Sequence, residues 1–172
     1  SDAIVTGSGQ RVGGLVGMGY GTDVVMQYCW FDGTVTNTGN RETSEDADCR
    51  GTGGIIGVLY DGGSAIVRNC LNSGDVDVTA YTYNQNYKDT TKNPNVAPFA
   101  GGIVGYVKQP TGYTTTITLD RCLNLGDVLV SGEATGCYGM VVGYKEGTVI
   151  RSNLYSTTPE NWTDSYPTYY TA

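Results

Sequence analysis

A glycine-rich pentapeptide recurs four times along the chain and constrains the fold more than any single residue does. The strings GGLVG, GGIIG, GGIVG and GMVVG occupy 13–17, 53–57, 101–105 and 139–143, so that their starts are 40, 48 and 38 residues apart. Self-similarity at this period is typical of solenoids and other repeat folds. In such folds one repeat cannot bury its apolar face alone, and stacking against its neighbours completes the core.

A second string of residues follows each pentapeptide. In the second and third repeats it reads AIVRNCLNSGDV and ITLDRCLNLGDV, at 65–76 and 117–128. One slot holds a cysteine in three copies, at Cys29, Cys70 and Cys122. We align Asn153 with these cysteines and Met140 with the second glycine of the pentapeptide. The fourth copy is therefore predicted to be an atypical terminal repeat.

The first residues of the chain resemble the end of a repeat. Residues 2–7, DAIVTG, align with residues 127–132, DVLVSG, so that Ala3 corresponds to Val128. This alignment predicts that the chain begins inside a repeat and belongs to a longer array.

Each repeat is predicted to contain three short strands. The pentapeptide forms the first strand, with both faces apolar and its glycines closely packed. The second strand contains the cysteine slot and is expected to bend at the polar pair before it, as at Gln27 and Tyr28. The third strand alternates apolar and polar residues, as at Val76 and Val78. No segment shows an apolar stripe of helical period, which predicts little helix.

Three strands per repeat, with glycine turns and loops of variable length between them, predict one coil of a β-solenoid. Coils stacked about 4.8 Å apart pair their backbones and build one continuous core. We therefore predict an all-β fold, a right-handed parallel β-solenoid (β-helix) of about four coils, over residues 1–156. Residues 157–172 form a tyrosine-rich C-terminal tail or cap. A β-sandwich is the alternative, and the in-phase repeat favours the solenoid.

Composition excludes several classes of function. The chain has no histidine, which removes Ser-His-Asp and Cys-His catalytic groups and histidine metal ligands. A net charge of −7 disfavours nucleic acid and anionic membranes as partners. No apolar run approaches the roughly 18 residues of a membrane span, so membrane insertion is not expected. Low charge with 26 glycines and 14 tyrosines is typical of an extracellular β protein.

The pairing of GG[LI][VI]G with C-L-N-x-G-D-V resembles the GLUG-motif repeats. These repeats occur in large bacterial surface and secreted proteins, including regions outside the catalytic domain of IgA-specific metallopeptidases. The resemblance covers about residues 1–156, in three good copies and one weak copy. It implies an extracellular or bacterial cell-surface location and a non-catalytic module without a cofactor. Because the motif is a folding motif, no functional residue carries over from the family.

Insertions between repeats are the expected place for binding. The longest, residues 80–100, is rich in tyrosine and asparagine, and Tyr113 lies in the next loop. Tyrosine offers a flat apolar face with a polar edge, which suits sugars and protein partners. The candidate binding residues are Tyr81, Tyr83, Tyr87 and Tyr113, with ordinary surface tyrosines as the alternative.

No metal site is expected, although one acidic insertion contains oxygen ligands of the kind that Ca²⁺ prefers. Glu45, Asp46 and Asp48 lie there, but their spacing matches neither an EF-hand nor the glycine-rich nonapeptide calcium repeat. A solvated acidic loop is the alternative.

The five cysteines fall into two groups. The three that recur in the repeat have apolar neighbours, which predicts an interior column of small thiols, with disulfide or metal binding as alternatives. Cys49 and Cys137 lie in loops outside the motif. A bridge between those two would have to cross coils, and no Cys-x-x-Cys pair supports a metal.

The expected function is a structural and adhesive repeat module that spaces or presents another domain. Its expected partners are a glycan or a host surface protein, together with neighbouring repeats or domains of the parent chain. The alternative is a polysaccharide lyase or glycosidase on a β-helix. That chemistry needs charged side chains that converge on one face, and the sequence offers only Asp75 and Asp127, which fill one slot of adjacent coils, with Arg68 and Arg121 in offset slots. A turn in which the aspartates cap the backbone is the other interpretation of the pair.

Overall fold

The computed structural model describes residues 3–8, 11–20, 23–38, 51–60, 62–80, 99–132 and 138–156. Every regular element among these residues is a β-strand. In chain order the strands are β1 (Ala3–Gly7), β2 (Arg11–Gly13), β3 (Val16–Tyr20), β4 (Val24–Gln27), β5 (Trp30–Phe31), β6 (Gly33–Asn37), β7 (Gly51–Gly53), β8 (Ile56–Tyr60), β9 (Ser64–Arg68), β10 (Leu71–Asn72), β11 (Asp75–Ala80), β12 (Phe99–Gly101), β13 (Val104–Val107), β14 (Thr116–Asp120), β15 (Leu123–Asn124), β16 (Val128–Gly132), β17 (Tyr138–Gly139), β18 (Val142–Lys145), β19 (Thr148–Ser152) and β20 (Tyr155–Ser156).

Every fifth strand pairs in parallel with its counterpart, which produces five sheets of four strands. Sheet A contains β1, β6, β11 and β16; sheet B contains β2, β7, β12 and β17; and sheet C contains β3, β8, β13 and β18. Sheet D contains β4, β9, β14 and β19, and sheet E contains β5, β10, β15 and β20. One passage through the five sheets is one coil. The predicted parallel β-solenoid of about four coils is therefore confirmed, and its right hand stays a prediction.

Each coil contains five strands, so the prediction of three was wrong. The pentapeptides do stack in parallel, with Gly13, Gly53, Gly101 and Gly139 in register. However, β2 ends at Gly13 and β3 begins at Val16, so the chain bends inside the pentapeptide and passes from sheet B to sheet C. The second predicted strand is likewise divided between sheets D and E. Bends divide the strands because the chain must close on itself around the core.

Close approach of sheets B and C explains the glycines of the pentapeptide. A Cβ added at Gly53 would lie 2.0 Å from the carbonyl oxygen of Ile56 and 2.8 Å from the amide nitrogen of Gly105. A Cβ at Gly57 would lie 2.6 Å from the carbonyl oxygen of Val12. These contacts are with backbone, which cannot move aside as a flexible side chain does. The close packing of glycines predicted at this motif is confirmed.

The predicted bend before the cysteine slot is also present. The turning residue has a left-handed backbone in every coil, with φ of 55° at Tyr28, 53° at Asn69, 50° at Arg121 and 52° at Asn153. Residues with a Cβ adopt this conformation at a cost of roughly 1–2 kcal/mol, and asparagine tolerates it best. The bend lets the cysteine side chain point inward while the residue after it faces solvent.

The structure corrects the alignment of the fourth copy by one residue. Asp120 pairs with Ser152 and Leu123 with Tyr155, so Asn153 occupies the bend slot and Leu154 occupies the cysteine slot. Leu154 is buried, as the cysteine slot requires. Consequently Ile150 lies on the outer face and is 52% exposed.

The N-terminal alignment is displaced by two residues. Val5 is the partner of Val35, which aligns with Val76 and Val128, whereas Ala3 is the partner of Gly33. Val5 therefore takes the slot that was assigned to Ala3. The alternation of small and β-branched residues in this segment fits both registers, and contacts with the neighbouring strand decide between them.

The interior combines aliphatic side chains with a ladder of buried amides. Val67 and Leu119 stack in register and are fully buried, as are Asn72 and Asn124. The Asn72 side-chain Nδ2 donates to Asn124 Oδ1 at 2.8 Å and to the carbonyl oxygen of Gly74 at 2.7 Å. A buried amide must satisfy its donors and acceptors, and here the next coil and its own turn do so.

The amide ladder also requires the second glycine of each pentapeptide. A Cβ added at Gly54 would lie 2.4 Å from Asn72 Cγ, and one at Gly102 would lie 2.3 Å from Asn124 Cγ. In the fourth coil Met140 takes the glycine slot, while Ser156 takes the asparagine slot. The larger residue at one position accompanies the smaller residue at the other.

Candidate functional site

Six of the seven predicted site residues lie outside the described residues: Tyr81, Tyr83, Tyr87, Glu45, Asp46 and Asp48. Ligand binding by these tyrosines and Ca²⁺ binding by these carboxylates stay predictions. The topology nevertheless fixes where their segments join the solenoid. Residues 39–50 connect β6 to β7, and residues 81–98 connect β11 to β12. Both connections, like the shorter one at 133–137, run from sheet A to sheet B, so they belong to the same corner on successive coils.

The C-terminal boundary of the longest insertion is earlier than predicted. Phe99 and Ala100 were assigned to the insertion 80–100, but they are buried residues of β12. Phe99 packs against Tyr106 and Tyr144, which pair with each other in sheet C. Its ring centroid lies 4.6 Å from that of Tyr106 and 4.4 Å from that of Tyr144. The insertion thus returns to the solenoid directly at an aromatic cluster.

This aromatic cluster, defined by Phe99, Tyr106 and Tyr144, lies between sheets B and C and is separate from the main core. Val58, from the preceding coil, is buried in the same place. Sequence analysis did not single out these residues. The signal was available, because a tyrosine directly follows the pentapeptide in the third and fourth repeats, at Tyr106 and Tyr144.

A carboxylate joins the aromatic cluster to the loop that contains Tyr113. The Tyr106 hydroxyl donates to Glu146 Oε1 at 2.6 Å, and Lys108 Nζ lies 3.1 Å from Glu146 Oε2. The amide of Gln109 also donates to Glu146 Oε2, at 3.3 Å. Glu146 belongs to the next coil, so these bonds fix the start of the 108–115 loop against that coil.

Tyr113 is the one candidate binding tyrosine that the structure describes. It ends a turn in which its amide donates to the carbonyl oxygen of Pro110 at 3.1 Å, and it is 58% exposed. Its ring lies against the backbone of Gly62, where an added Cβ would be 2.9 Å from Tyr113 Cδ1. Gly62 has φ of 68°, which a glycine adopts without strain. Tyr113 therefore presents a supported ring to solvent.

The loop of Tyr113 joins sheet C to sheet D, whereas the tyrosine-rich insertion joins sheet A to sheet B. Two described residues next to these connections share a partner. Phe99, which follows the insertion, and Lys108, which begins the loop, both contact Tyr106: Phe99 by ring packing and Lys108 with its Nζ 5.9 Å from the ring centroid.

The aspartate pair has a backbone role. Asp75 Oδ1 accepts a hydrogen bond of 2.9 Å from the amide of Asp127 in the next coil. The two arginines near the pair also have protein partners, since Arg68 donates to Gln27 Oε1 at 2.8 Å and Arg121 pairs with its neighbour Asp120. These contacts favour the turn interpretation over acid–base chemistry.

The three cysteines of the repeat form the predicted column of free thiols. Cys70 and Cys122 are buried and Cys29 is half-buried. Cys122 Sγ donates to the carbonyl oxygen of Val67 in the preceding coil at 3.3 Å. The hydrogen bond with Cys122, and then burial, raise the pKa of the Cys70 thiol; burial is the main cause that raises the pKa of Cys29. Protonated thiols of this kind pack as small apolar groups.

Cys49 and Cys137 lie outside the described residues. Within the described ranges no group of three or more cysteines and carboxylates could hold a metal ion. In the same part of the chain no helix is long and apolar enough to cross a membrane.

The outer face of sheet E carries a row of apolar side chains. The row, which we call the outer row, stacks in register across all four coils and consists of Trp30, Leu71, Leu123 and Tyr155. The aromatic residues at its two ends are 62% and 61% exposed. The two leucines of the row are half-buried, and none of its four side chains belongs to the main core.

A scan against protein-family models found no match. Searches of curated proteins and of solved structures found no match either.

Proposed function

We propose that the chain is a non-catalytic structural and adhesive module of a larger bacterial cell-surface or secreted protein. The solenoid spaces or presents another domain, and the insertions between its coils bind a glycan or a host surface protein. The observation that supports this proposal most is the common origin of the insertions at the corner between sheets A and B. Successive coils therefore place the attachment points of their variable segments at one corner of the scaffold, and binding loops are commonly positioned by a rigid scaffold in this way.

The scaffold itself has the properties of a spacer. Interior side chains are fully buried in the two central coils, and hydrogen bonds between coils run through all five sheets. Each coil stabilises its neighbours in such a stack, so length can be added or removed in whole repeats. The resemblance to GLUG-motif repeats and the low content of charge agree with a location outside the cell.

Binding is assigned to the tyrosine-rich insertion, with Tyr113 as its neighbour. Phe99, Tyr106 and Glu146 hold the end of the insertion and the start of the Tyr113 loop together. An aromatic ring that is already supported loses little conformational entropy on binding, which is why such rings are effective contact residues.

The test is to shorten the insertion while sparing β12. Residues 81–98 are replaced by a linker as long as the segment 133–137, and binding is measured on glycan and host-protein arrays. Loop-closure costs change slowly with length, so the thermal midpoint should change little. Binding should fall at least tenfold. A matched variant that shortens the acidic insertion 39–50 instead should retain binding.

Undiminished binding by the variant with the shortened 81–98 segment would show that the insertion has no binding role. The alternative function, a polysaccharide lyase or glycosidase, finds no specific observation in its favour, because the Asp75 carboxylate is engaged by the backbone of the next coil.

A further inference from the structure

We propose that the outer row of sheet E is a second binding site, which takes an extended, uncharged oligosaccharide stacked along Trp30, Leu71, Leu123 and Tyr155. The proposal does not require the insertions to bind anything. It depends instead on four features of the described residues: a fixed indole, the continuity of the row, the balance of charge beside it, and its width.

Trp30 is held in place by its polar edge. Its Nε1 donates to Ser73 Oγ of the next coil at 2.7 Å, and Ser73 Oγ lies 3.1 Å from Asp32 Oδ1. The indole is therefore tied across two coils while 62% of the side chain stays exposed. Large rings that are fixed before binding and exposed on one face give contact area at low entropic cost.

The row continues this surface along the solenoid axis. Trp30 pairs in register with Leu71, Leu71 with Leu123, and Leu123 with Tyr155. With neighbouring strands about 4.8 Å apart, the two aromatic ends are separated by roughly 14 Å. A ligand that contacts both rings must therefore be extended and lie parallel to the axis, with the leucines beneath its middle.

The charged groups near the row are of both signs. Arg121 pairs with Asp120 at 2.9 Å, while Arg68 donates to the neutral Gln27 at 2.8 Å and keeps its charge. Asp32 is an anion that accepts from a serine of the next coil. Because cations and carboxylates are mixed, the flank offers hydrogen-bonding groups rather than a field of one sign. Such a flank complements a polyhydroxylated, neutral ligand better than an anionic or a cationic one.

The row is too narrow for a folded protein partner. A stable protein interface takes about 800 Å² from each side and about 20–30 residues. The outer row offers one side chain per coil. Addition of a peptide strand is also disfavoured along the row, because β10 and β15 already pair on both sides. A single extended chain of sugar rings matches both the width and the direction.

The experiment uses the full chain with Trp162→Phe, so that Trp30 is the sole tryptophan. The probes are four neutral hexasaccharides: cellohexaose, chitohexaose, maltohexaose and laminarihexaose. Binding is measured by calorimetry and by Trp30 fluorescence. We expect at least one probe to bind, with Trp30 emission shifted to shorter wavelength as the ring loses water.

The decisive variant is Trp30→Leu, which places at this slot the residue that the next two coils contain. It removes the ring and keeps the apolar contact, so the thermal midpoint should change little while the affinity falls at least tenfold. Tyr155→Leu should weaken binding as well. Tyr138→Leu, at an exposed tyrosine of sheet B, is the matched control and should leave the affinity unchanged.

Two results would overturn the proposal: no binding by any of the four probes, or binding that Trp30→Leu does not reduce. The variant with the shortened 81–98 segment separates this site from the insertions. It should bind the hexasaccharides as the unmodified chain does, even if it loses every partner that the insertion binds.

Discussion

Replacing Asn72 by alanine tests whether the amide ladder holds the coils in register. Asn72 is fully buried and takes part in three hydrogen bonds. Its Nδ2 donates to Asn124 Oδ1 at 2.8 Å and to the Gly74 carbonyl at 2.7 Å, and its Oδ1 accepts from the Gly74 amide at 3.3 Å. Alanine removes all three bonds. The amide and carbonyl of Gly74 and the side-chain oxygen of Asn124 then lose these partners.

The expected loss follows from the number of groups affected. A hydrogen bond contributes about 1 kcal/mol net, and a buried polar group left without a partner costs about 1–3 kcal/mol. Three bonds therefore place the loss in unfolding free energy at roughly 3–6 kcal/mol, before any water enters the space vacated. Since a domain of this kind has about 5–15 kcal/mol in total, Asn72→Ala should be among its most damaging single substitutions.

The measurement is urea unfolding followed by far-ultraviolet circular dichroism. Ser131→Ala is the control, because Ser131 is an exposed strand residue; it should cost about 0.5 kcal/mol or less. A double-mutant cycle with Asn124→Ala should show coupling of about 0.5–3 kcal/mol. If Asn72→Ala is no more destabilising than Ser131→Ala, or if the two asparagines are additive, the ladder does not stabilise the stack.

Two further predictions concern the thiol column and the last coil. In a Cys49→Ser, Cys137→Ser background, maleimide should label Cys70 and Cys122 only after denaturation, as peptide mass mapping would show; rapid native labelling of both would exclude a buried column. Hydrogen bonds from Ser152 and Asn153 lower the pKa of Asp120 in the folded protein. The Asp120 carboxylate therefore contributes to stability above its unfolded pKa of about 4, and this contribution is lost as the pH falls through its lower pKa in the folded state. Asp120→Asn should therefore flatten the acid limb of the urea midpoint plotted against pH, and an unchanged acid limb would contradict this role.

The architecture was predictable because the sequence repeat determines both the pairing of strands and the composition of the interior. Equivalent residues of successive coils occupy the same slot, so one in-phase pattern specifies strand order, parallel pairing and the interior column at once. The thiol column at Cys29, Cys70 and Cys122 follows from this rule, and so does the bend before it. The number of strands was not predictable in the same way, because a bend inside GGIIG leaves no mark on the pattern of apolar residues.

The fourth coil shows why alignment failed where the motif is weak. Asn153 was matched to cysteine because it lies at the expected distance from an apolar stretch, yet its backbone has φ of 52° and occupies the bend. Asparagine adopts the left-handed conformation more readily than most residues, and Asn69 does so in the second coil. Comparing Asn153 with Asn69 rather than with Cys70 would have identified Leu154 as the buried residue.

The outer row shows that an apolar slot in a sequence repeat need not be a core position. A slot that is apolar in every coil is normally assigned to the core, and the slot of Leu71 meets that description. The left-handed residue at 69 changes the assignment, because it turns Cys70 inward and leaves the next side chain on the solvent face. Conformation at one residue per coil thus decides whether four apolar side chains stabilise the fold or remain accessible to a ligand. Burial does not account for the aromatic rings at the two ends of this slot. Contact with the proposed oligosaccharide supplies a physical reason for their presence.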